Sequence, residues 1–306
     1  MSFNLFIIQA LNGLQLGVLL FLMAAGLTLV FGIMNFVNLA HGSMYMMGAF
    51  IAAALFNQTG SFWLSAALVI PIMMVLGMAL DRLALSGLYQ RDHLYQVLAT
   101  FGLILFFNEL ARMIWGPSPV YMEIPDALSG AVQFFGIRYP AYRLLIIVAG
   151  LAVALGCYLL VHHTRLGMLL RAGATHRDMV GALGVNIRLL NAVLFGIGAA
   201  LAGLAGVLAG PIMSVQVGMG EPILILTMVV IVIGGIGSIR GAFYASLIVG
   251  VVDTLGRTLL PALLRNLMER SSADIAGPAI ASMMIYILMA VVLALRPQGL
   301  FPVQRG

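Results

Sequence analysis

Apolar segments of roughly membrane length follow one another along almost the whole of this chain. Hydrophobic residues make up 62% and charged residues only 8% of the 306 residues, whereas a soluble domain carries about a quarter charged residues. Continuous apolar runs of about 20 residues are typical of transmembrane helices, whereas membrane barrel strands are alternating runs of about ten. Because lipid satisfies no backbone hydrogen bonds, such runs must form helices. The composition therefore predicts an all-α, polytopic membrane protein.

The spans are predicted from the apolar runs alone. They lie at about 5–32, 36–56, 62–80, 94–114, 142–162, 191–211, 222–238, 241–256 and 277–295. The short segments at 222–238 and 241–256 are either two spans or one broken element, so we expect eight or nine spans. No soluble domain or low-complexity linker separates them, and residues 1–306 are predicted to form one membrane domain.

Arginine supplies all the cationic side chains other than histidine, and the sequence contains no lysine. A nucleotide-binding P-loop needs its lysine to reach the phosphates, so this chain cannot supply a standard one. We therefore expect no enzymatic activity and no cofactor on this chain, with any ATP and Mg²⁺ bound by partner subunits. The single Cys157 excludes a disulfide within the chain and a cysteine-based metal site. The basic charge reflects loop arginines and indicates membrane orientation rather than nucleic-acid binding.

The longest arginine-rich polar stretch between two spans reads HHTRLGMLLRAGATHRDMVGALGVNIRLLN and covers residues 162–191. Thr175 followed by Asp178 has the spacing of a capping box. That spacing predicts a short helix over Ala174–Leu183, which Gly184 would end. The stretch is thus predicted to hold an amphipathic helix on a basic loop, with an ordinary solvated loop as the alternative.

This predicted helix would carry an apolar stripe. Met179, Val180 and Leu183 share a face because they stand at positions i, i+1 and i+4. Arg171 and Arg177 flank the stripe and suit an acidic rim on a partner. A solvated loop has no use for exposed apolar side chains, which favours docking into another protein.

The first interrupted span reads FGIMNFVNLAHGSMYMMGAF and covers residues 31–50. Asn35, Asn38 and His41 stand at i, i+3 and i+6, close to one helical face, and Gly42 follows them. Polar side chains at membrane depth face a cavity or a partner helix, because lipid cannot satisfy them. We expect these residues to line a substrate pathway, with hydrogen bonding between packed helices as the alternative.

The second interrupted span reads VIGGIGSIRGAFYASLIVG and covers residues 232–250. Gly234, Gly235 and Gly237 weaken the helix, and Ser238 adds a hydroxyl group. Interrupted segments at corresponding places in two pseudo-repeated halves point to the central pathway of a transporter, although two glycine-rich spans can also be similar by chance. GGIGS lies inside an apolar run and lacks the G-x-G-x-x-G pattern, which argues against a nucleotide-binding loop.

Small residues recur at four-residue spacing in the sixth span, at Gly198, Ala202, Gly206 and Gly210. A face of small residues allows another helix to approach closely. We expect that partner helix to belong to this chain.

Charged residues lie near the ends of the predicted spans. Glu109 and Arg112, and also Asp253 and Arg257, have spacings that favour local ion pairs. No carboxylate falls near the middle of a predicted span, whereas ion-coupled transporters usually carry one in the pathway. This pattern favours an external source of energy.

Four stretches together resemble permease subunits of branched-chain amino acid ABC importers, of the LivH type. They are Gly26–Phe50, Leu166–Asn186, Ile233–Gly250 and Arg296–Phe301, the last reading RPQGLF. They occur in the family's order and extend over nearly the whole chain. The lack of a long cytoplasmic extension is more similar to the H-type subunit than to its M-type paralogue.

The resemblance implies a multi-pass protein of the bacterial inner membrane that moves leucine, isoleucine, valine or a related small amphipathic solute. The implied partners are a second, LivM-like permease, two ATP-binding cassette subunits and a periplasmic solute-binding protein, besides membrane lipids and no nucleic acid. A cytoplasmic coupling loop at about 163–190 would dock into an ATPase subunit through the helix that ends at Gly184. An alternative of another class is an autonomous ion-coupled secondary transporter or channel.

Two features depart from the family pattern. The loop lacks the Glu-Ala-Ala sequence of the general importer pattern, and Arg240 stands where a small residue or proline is expected. Placing Asp81–His93, His162–Asn191 and the C-terminal tail inside puts eight arginines on that side and six on the other, a small bias in the direction of the positive-inside rule.

Overall fold

The structure is a computed structural model that describes residues 3–34, 36–134, 136–175 and 177–301. Within these ranges the helices are α1 (Phe3–Met34), α2 (His41–Thr59), α3 (Phe62–Leu80), α4 (His93–Trp115), α5 (Ala141–His163), α6 (Arg165–Thr175), α7 (Arg177–Ala182), α8 (Ile187–Ala209), α9 (Gly220–Gly234), α10 (Ile239–Leu264) and α11 (Arg270–Leu295). A hairpin of β1 (Ala131–Phe134) and β2 (Ile137–Pro140) is the sheet found there. The prediction of a helical membrane fold is confirmed.

Seven of the described helices are long and apolar enough to cross a membrane: α1, α3, α4, α5, α8, α10 and α11. The predicted count of eight or nine spans is not confirmed. The 15-residue helix α9 is shorter than a bilayer core requires. Besides Tyr45, helix α2 contains five polar residues, His41, Ser43, Asn57, Gln58 and Thr59, among its 19 positions.

Helix α1 is the element around which the others pack. Most of its length beyond Leu16 is buried, because its apolar residues cover all faces of the helix. Glycines bring α10 against it: a Cβ placed on Gly17 would lie 2.9 Å from Leu247 Cα, and one on Gly32 would lie 2.9 Å from Gly237 Cα. Gly32, near the end of α1, faces the segment before α10, whereas Gly17 faces Leu247 within α10. The two helices are therefore antiparallel.

The small-residue face of α8 packs inside the chain, as predicted. A Cβ on Gly198 would lie 3.1 Å from the Gly26 carbonyl oxygen of α1. A Cβ on Gly206 would overlap the Tyr45 carbonyl group of α2. Both predicted local ion pairs are also confirmed, with 2.9 Å between Glu109 and Arg112 and 2.8 Å between Asp253 and Arg257.

The C-terminal RPQGLF stretch caps the end of α9. The Leu300 and Phe301 N–H groups donate to the carbonyl oxygens of Ile233 and Gly234 at 2.9 and 3.0 Å. These carbonyls belong to the last turn of α9 and have no partner within that helix. The tail therefore satisfies buried backbone groups at the second interruption.

We expect Gly299→Ala to destabilise this cap. Gly299 has a φ of 84°, and a Cβ there would lie 2.5 Å from Gly235 Cα. Forcing an extra carbon into a packed backbone contact costs about 1–3 kcal/mol. The matched control is Gly60→Ala. Gly60 also has a positive φ, 66°, but a Cβ there would have no neighbouring atom within 4 Å. Thermal unfolding in detergent should show a lower midpoint for Gly299→Ala than for Gly60→Ala, and equal midpoints would contradict the capping role.

Candidate functional site

The first interruption is a non-helical segment that runs back along α1. Helix α1 ends at Met34 and α2 begins at His41. His41 Nε2 donates to the Met23 carbonyl oxygen at 3.1 Å. Met23 precedes the end of α1 by eleven residues, which corresponds to about 16 Å at 1.5 Å per residue. Residues 36–40 therefore re-enter the protein, and α2 starts deep inside the bundle.

Asn38 lies in this re-entrant segment and is fully buried. Among the described residues, neither its Nδ2 nor its Oδ1 has a hydrogen-bond partner. Leaving a buried polar group unpaired costs about 1–3 kcal/mol, so such a group in a native fold indicates a functional candidate. The predicted neighbour Asn35 lies outside the described residues.

The two interruptions are in contact with each other. Gly32 at the end of α1 contacts Gly237 in the second interruption. Gly235 packs instead against the C-terminal tail, where a Cβ would lie 3.0 Å from the Phe301 carbonyl oxygen. The Ser238 hydroxyl accepts the Gly241 N–H at 3.1 Å and so caps α10.

Other members of the predicted set serve close packing. Gly234 lies directly against Gly241, so that α9 and α10 diverge from a tight backbone contact. Gly42 is separate from these residues and contacts Gly220. A Cβ placed on Gly42 would lie 2.5 Å from the Gly220 carbonyl oxygen. The pathway roles of all these residues stay predictions.

The contact between Gly42 and Gly220 places the first turns of α2 and α9 side by side, beside a narrow cleft. Asn108 of α4 and Glu221 of α9 line this cleft, and Asn108 Nδ2 donates to Glu221 Oε1 at 2.7 Å. The sequence interpretation missed this pair, because Glu221 stood one residue before the predicted span 222–238. The signal was local: a carboxylate and Pro222 follow Gly220, as expected of a first helical turn.

The predicted helix over Ala174–Leu183 is wrong in its bounds. Helix α7 runs from Arg177 to Ala182, whereas helix α6 already begins at Arg165 and has Thr175 as its last residue. The cap is Thr164, whose hydroxyl accepts the Gly167 N–H at 3.1 Å. The predicted end is confirmed, since Gly184 has a φ of 87°.

The predicted apolar stripe is correct at two of its three positions. Met179 is 61% exposed and Leu183 is 79% exposed, whereas Val180 is 6% exposed and faces the protein. Arg171, predicted to flank the stripe, donates to the Val161 carbonyl oxygen at the end of α5. The side chains of Thr175, Arg177 and Asp178 lie outside the described part of the chain.

A cavity of about 1110 Å³ adjoins this segment. Gly181 and Arg188 line it on one side, and Asp81 and Arg82 line it on the other. Asp81 is buried and begins a π-helical turn, and its Oδ1 has no hydrogen-bond partner among the described residues. Because π-helical turns occur frequently at functional sites, this cavity is a second candidate region, which the sequence did not indicate.

A family of transport proteins matches the sequence of this chain over most of its length. The family described as "Branched-chain amino acid transport system / permease component" matches residues 9–293. The chain belongs to this permease family. The resemblance found in the sequence is thereby confirmed.

Relatives of this permease cover most of its length. It is 30% identical to the high-affinity branched-chain amino acid transport system permease protein BraD of Pseudomonas aeruginosa, over 95% of this chain and 94% of the relative. It is 29% identical to LivH of Escherichia coli over 85% and 88% of the two chains, and 26% identical to LivM of that species over 93% and 68%. The permease is accordingly a multi-pass protein of the cell inner membrane.

Proposed function

We propose that this permease carries branched-chain aliphatic amino acids inward as the H-type half of an ABC importer. The names of BraD and LivH support the substrate class. The observation that carries the proposal is the pair of helices that start inside the bundle, α2 at His41 and α9 at Gly220, in contact through Gly42. Helices that begin at membrane depth are typical of transporter binding sites.

We propose that the energy comes from ATP hydrolysed by two ATP-binding cassette subunits, which would also bind Mg²⁺. The absence of lysine supports this division of labour, since a P-loop lysine must come from another chain. The coupling contact would be the segment Arg165–Gly184, through Met179 and Leu183, with Arg171 and Arg177 at its rim. A solute-binding protein would deliver substrate on the opposite face.

A second permease subunit completes the proposed assembly. The similarity of this chain to both LivH and LivM of Escherichia coli supports two related permease subunits in the proposed importer. The exposed apolar residues of α4 and α11 would then face either lipid or this partner.

The substrate class is tested by competition. In proteoliposomes with the complete complex and loaded binding protein, unlabelled isoleucine and valine should reduce uptake of labelled leucine at least tenfold. Arginine and aspartate at the same concentration should leave uptake unchanged, because an apolar pocket for an aliphatic side chain offers no compensation for a charged one. Strong inhibition by arginine or aspartate would contradict an aliphatic substrate class.

The proposed pathway includes Asn35, Asn38 and His41 and passes the second interruption at Gly234, Gly235, Gly237 and Ser238. Its test is a cysteine at Asn38 in a Cys157→Ala background. During ATP turnover we expect a small aqueous thiol reagent to label this cysteine at least tenfold faster than without nucleotide, because a buried polar group without a partner needs water or substrate. A cysteine at Met23, also fully buried, is the control. Equal protection of both in every state would contradict the pathway.

A further inference from the structure

We infer that the cleft between the first turns of α2 and α9 is a binding site for a zwitterionic amino acid with an aliphatic side chain, in which Glu221 receives the α-ammonium group. This inference rests on the proposed function and assigns its substrate to particular residues. The cleft lies halfway along a membrane-spanning helix, because Ile104, one of its lining residues, is the middle residue of α4.

The carboxylate in this cleft is placed to bind a cation. Glu221 is partly buried, and Asn108 Nδ2 donates to its Oε1 at 2.7 Å. None of the ion pairs found among the described residues includes Glu221. A carboxylate at this depth is costly unless it serves a pathway, and a primary ammonium group supplies three N–H donors and the opposite charge.

The other polar groups suit the α-carboxylate. Helix α2 begins beside the cleft, and Ala40 before it gives no side-chain cap, so the first N–H groups of α2 are available to an anion. Ser43 lines the same cleft with 4% of its surface exposed, and none of the described hydrogen bonds includes its hydroxyl group. The Ser43 hydroxyl, next to an uncapped helix start, can donate a hydrogen bond to an anion in the cleft.

The remaining walls are apolar. Leu39, Met46, Ile104 and Leu224 also line the cleft. They offer dispersion contacts to an aliphatic side chain, and methionine adapts its shape to branched groups. The carboxylate of the site matches the α-ammonium group of leucine, isoleucine or valine, and the helix start matches the α-carboxylate. The four apolar side chains match the aliphatic side chain.

The cleft is closed in this structure. A Cβ on Gly42 would lie 2.5 Å from the Gly220 carbonyl oxygen, so the backbones of α2 and α9 touch there. Admitting an amino acid therefore requires the two helix starts to separate. Both starts follow non-helical segments, residues 36–40 and 210–219, which can absorb such a movement.

Glu221→Gln isolates the charge from the packing. The glutamine side chain has the same shape and keeps a carbonyl oxygen that accepts the hydrogen bond from Asn108, but it carries no charge and cannot form an ion pair with an ammonium group. Glu109→Gln is the matched control, because Glu109 is adjacent to Asn108 in sequence, is exposed and pairs with Arg112. Glu221→Asp keeps the charge and tests for partial rescue.

The measurement is the amount of leucine taken up per ATP hydrolysed by the complete complex in proteoliposomes, at saturating loaded binding protein. We expect Glu221→Gln to lower this ratio at least tenfold, with unchanged half-saturation by the binding protein and unchanged ATP hydrolysis in its absence. Glu221→Asp should recover part of the ratio, and Glu109→Gln should retain all of it.

Three results would overturn the inference, and they are distinguishable. If the unaltered complex takes up no aliphatic amino acid, the proposed function fails and this site fails with it. If the unaltered complex transports leucine and Glu221→Gln keeps the same ratio, the proposed function stands and the site is wrong. A proportional loss of transport and ATP hydrolysis in Glu221→Gln, together with a lower melting temperature, would assign Glu221 a structural role and also overturn the inference.

Discussion

Replacing Met179 and Leu183 together by aspartate is expected to abolish association with the ATPase subunits while leaving the permease folded. The two side chains are 61% and 79% exposed, so their replacement removes no packing inside this chain. Burial in a socket on a partner would stabilise the complex by about 1.5–3 kcal/mol for each side chain. The loss of both corresponds to at least a hundredfold weaker binding, before the cost of burying two carboxylates is added.

The measurement is co-purification of the ATPase subunits with the tagged double variant, together with ATP hydrolysis stimulated by loaded binding protein. Leu267→Asp is the matched control. Leu267 is 82% exposed and follows the last residue of α10. Gly237 precedes the first residue of α10, so Leu267 and Gly237 lie at opposite ends of the bundle. Normal assembly and transport by the double variant would contradict the docking role and show that the segment is an ordinary solvated loop.

A third variant separates the exposed positions from the buried one. Val180 shares the predicted face but is 6% exposed, so Val180→Asp should instead impair folding or insertion of the permease itself. A melting temperature lower than that of the double variant is the expected signature. The two kinds of failure therefore distinguish docking from packing within a single turn of helix.

The sequence predicted what depends on local composition. Long apolar runs identified the membrane helices, because hydropathy is a property of the segment itself. Glycine and buried polar side chains located both interruptions, since each weakens a helix where it stands. The end at Gly184 followed from the preference for glycine in the left-handed conformation.

Features that depend on contacts between distant segments could not be predicted from the sequence. The hydrogen bond between Asn108 and Glu221 joins residues 113 positions apart, and nothing at either position indicates the other. The RPQGLF tail is a motif that the sequence shares with the family. Its role in capping α9 depends on the hydrogen bond from the Leu300 N–H to the Ile233 carbonyl oxygen. The orientation of Val180 also depends on which side of α7 faces the bundle.

One argument from the sequence needs correction. The absence of a carboxylate near the middle of any predicted span was taken to favour an external energy source. Glu221 stands one residue outside the predicted span 222–238, yet it lies at membrane depth, because its partner Asn108 lies seven residues inside the end of α4, or about 10 Å along the helix axis. The importer interpretation rests instead on family membership and on the missing lysine.

The energy source is therefore the property that tests the proposal most directly. Proteoliposomes that contain both permeases, both ATPase subunits and external leucine-loaded binding protein should accumulate leucine when ATP and Mg²⁺ are enclosed. An otherwise identical complex with the P-loop lysine of its ATPase subunits replaced should lose nearly all uptake, because this chain offers no substitute for that lysine. An imposed proton or sodium gradient without ATP should give no accumulation. Gradient-driven accumulation of leucine by this chain alone would contradict the importer and establish an autonomous secondary transporter.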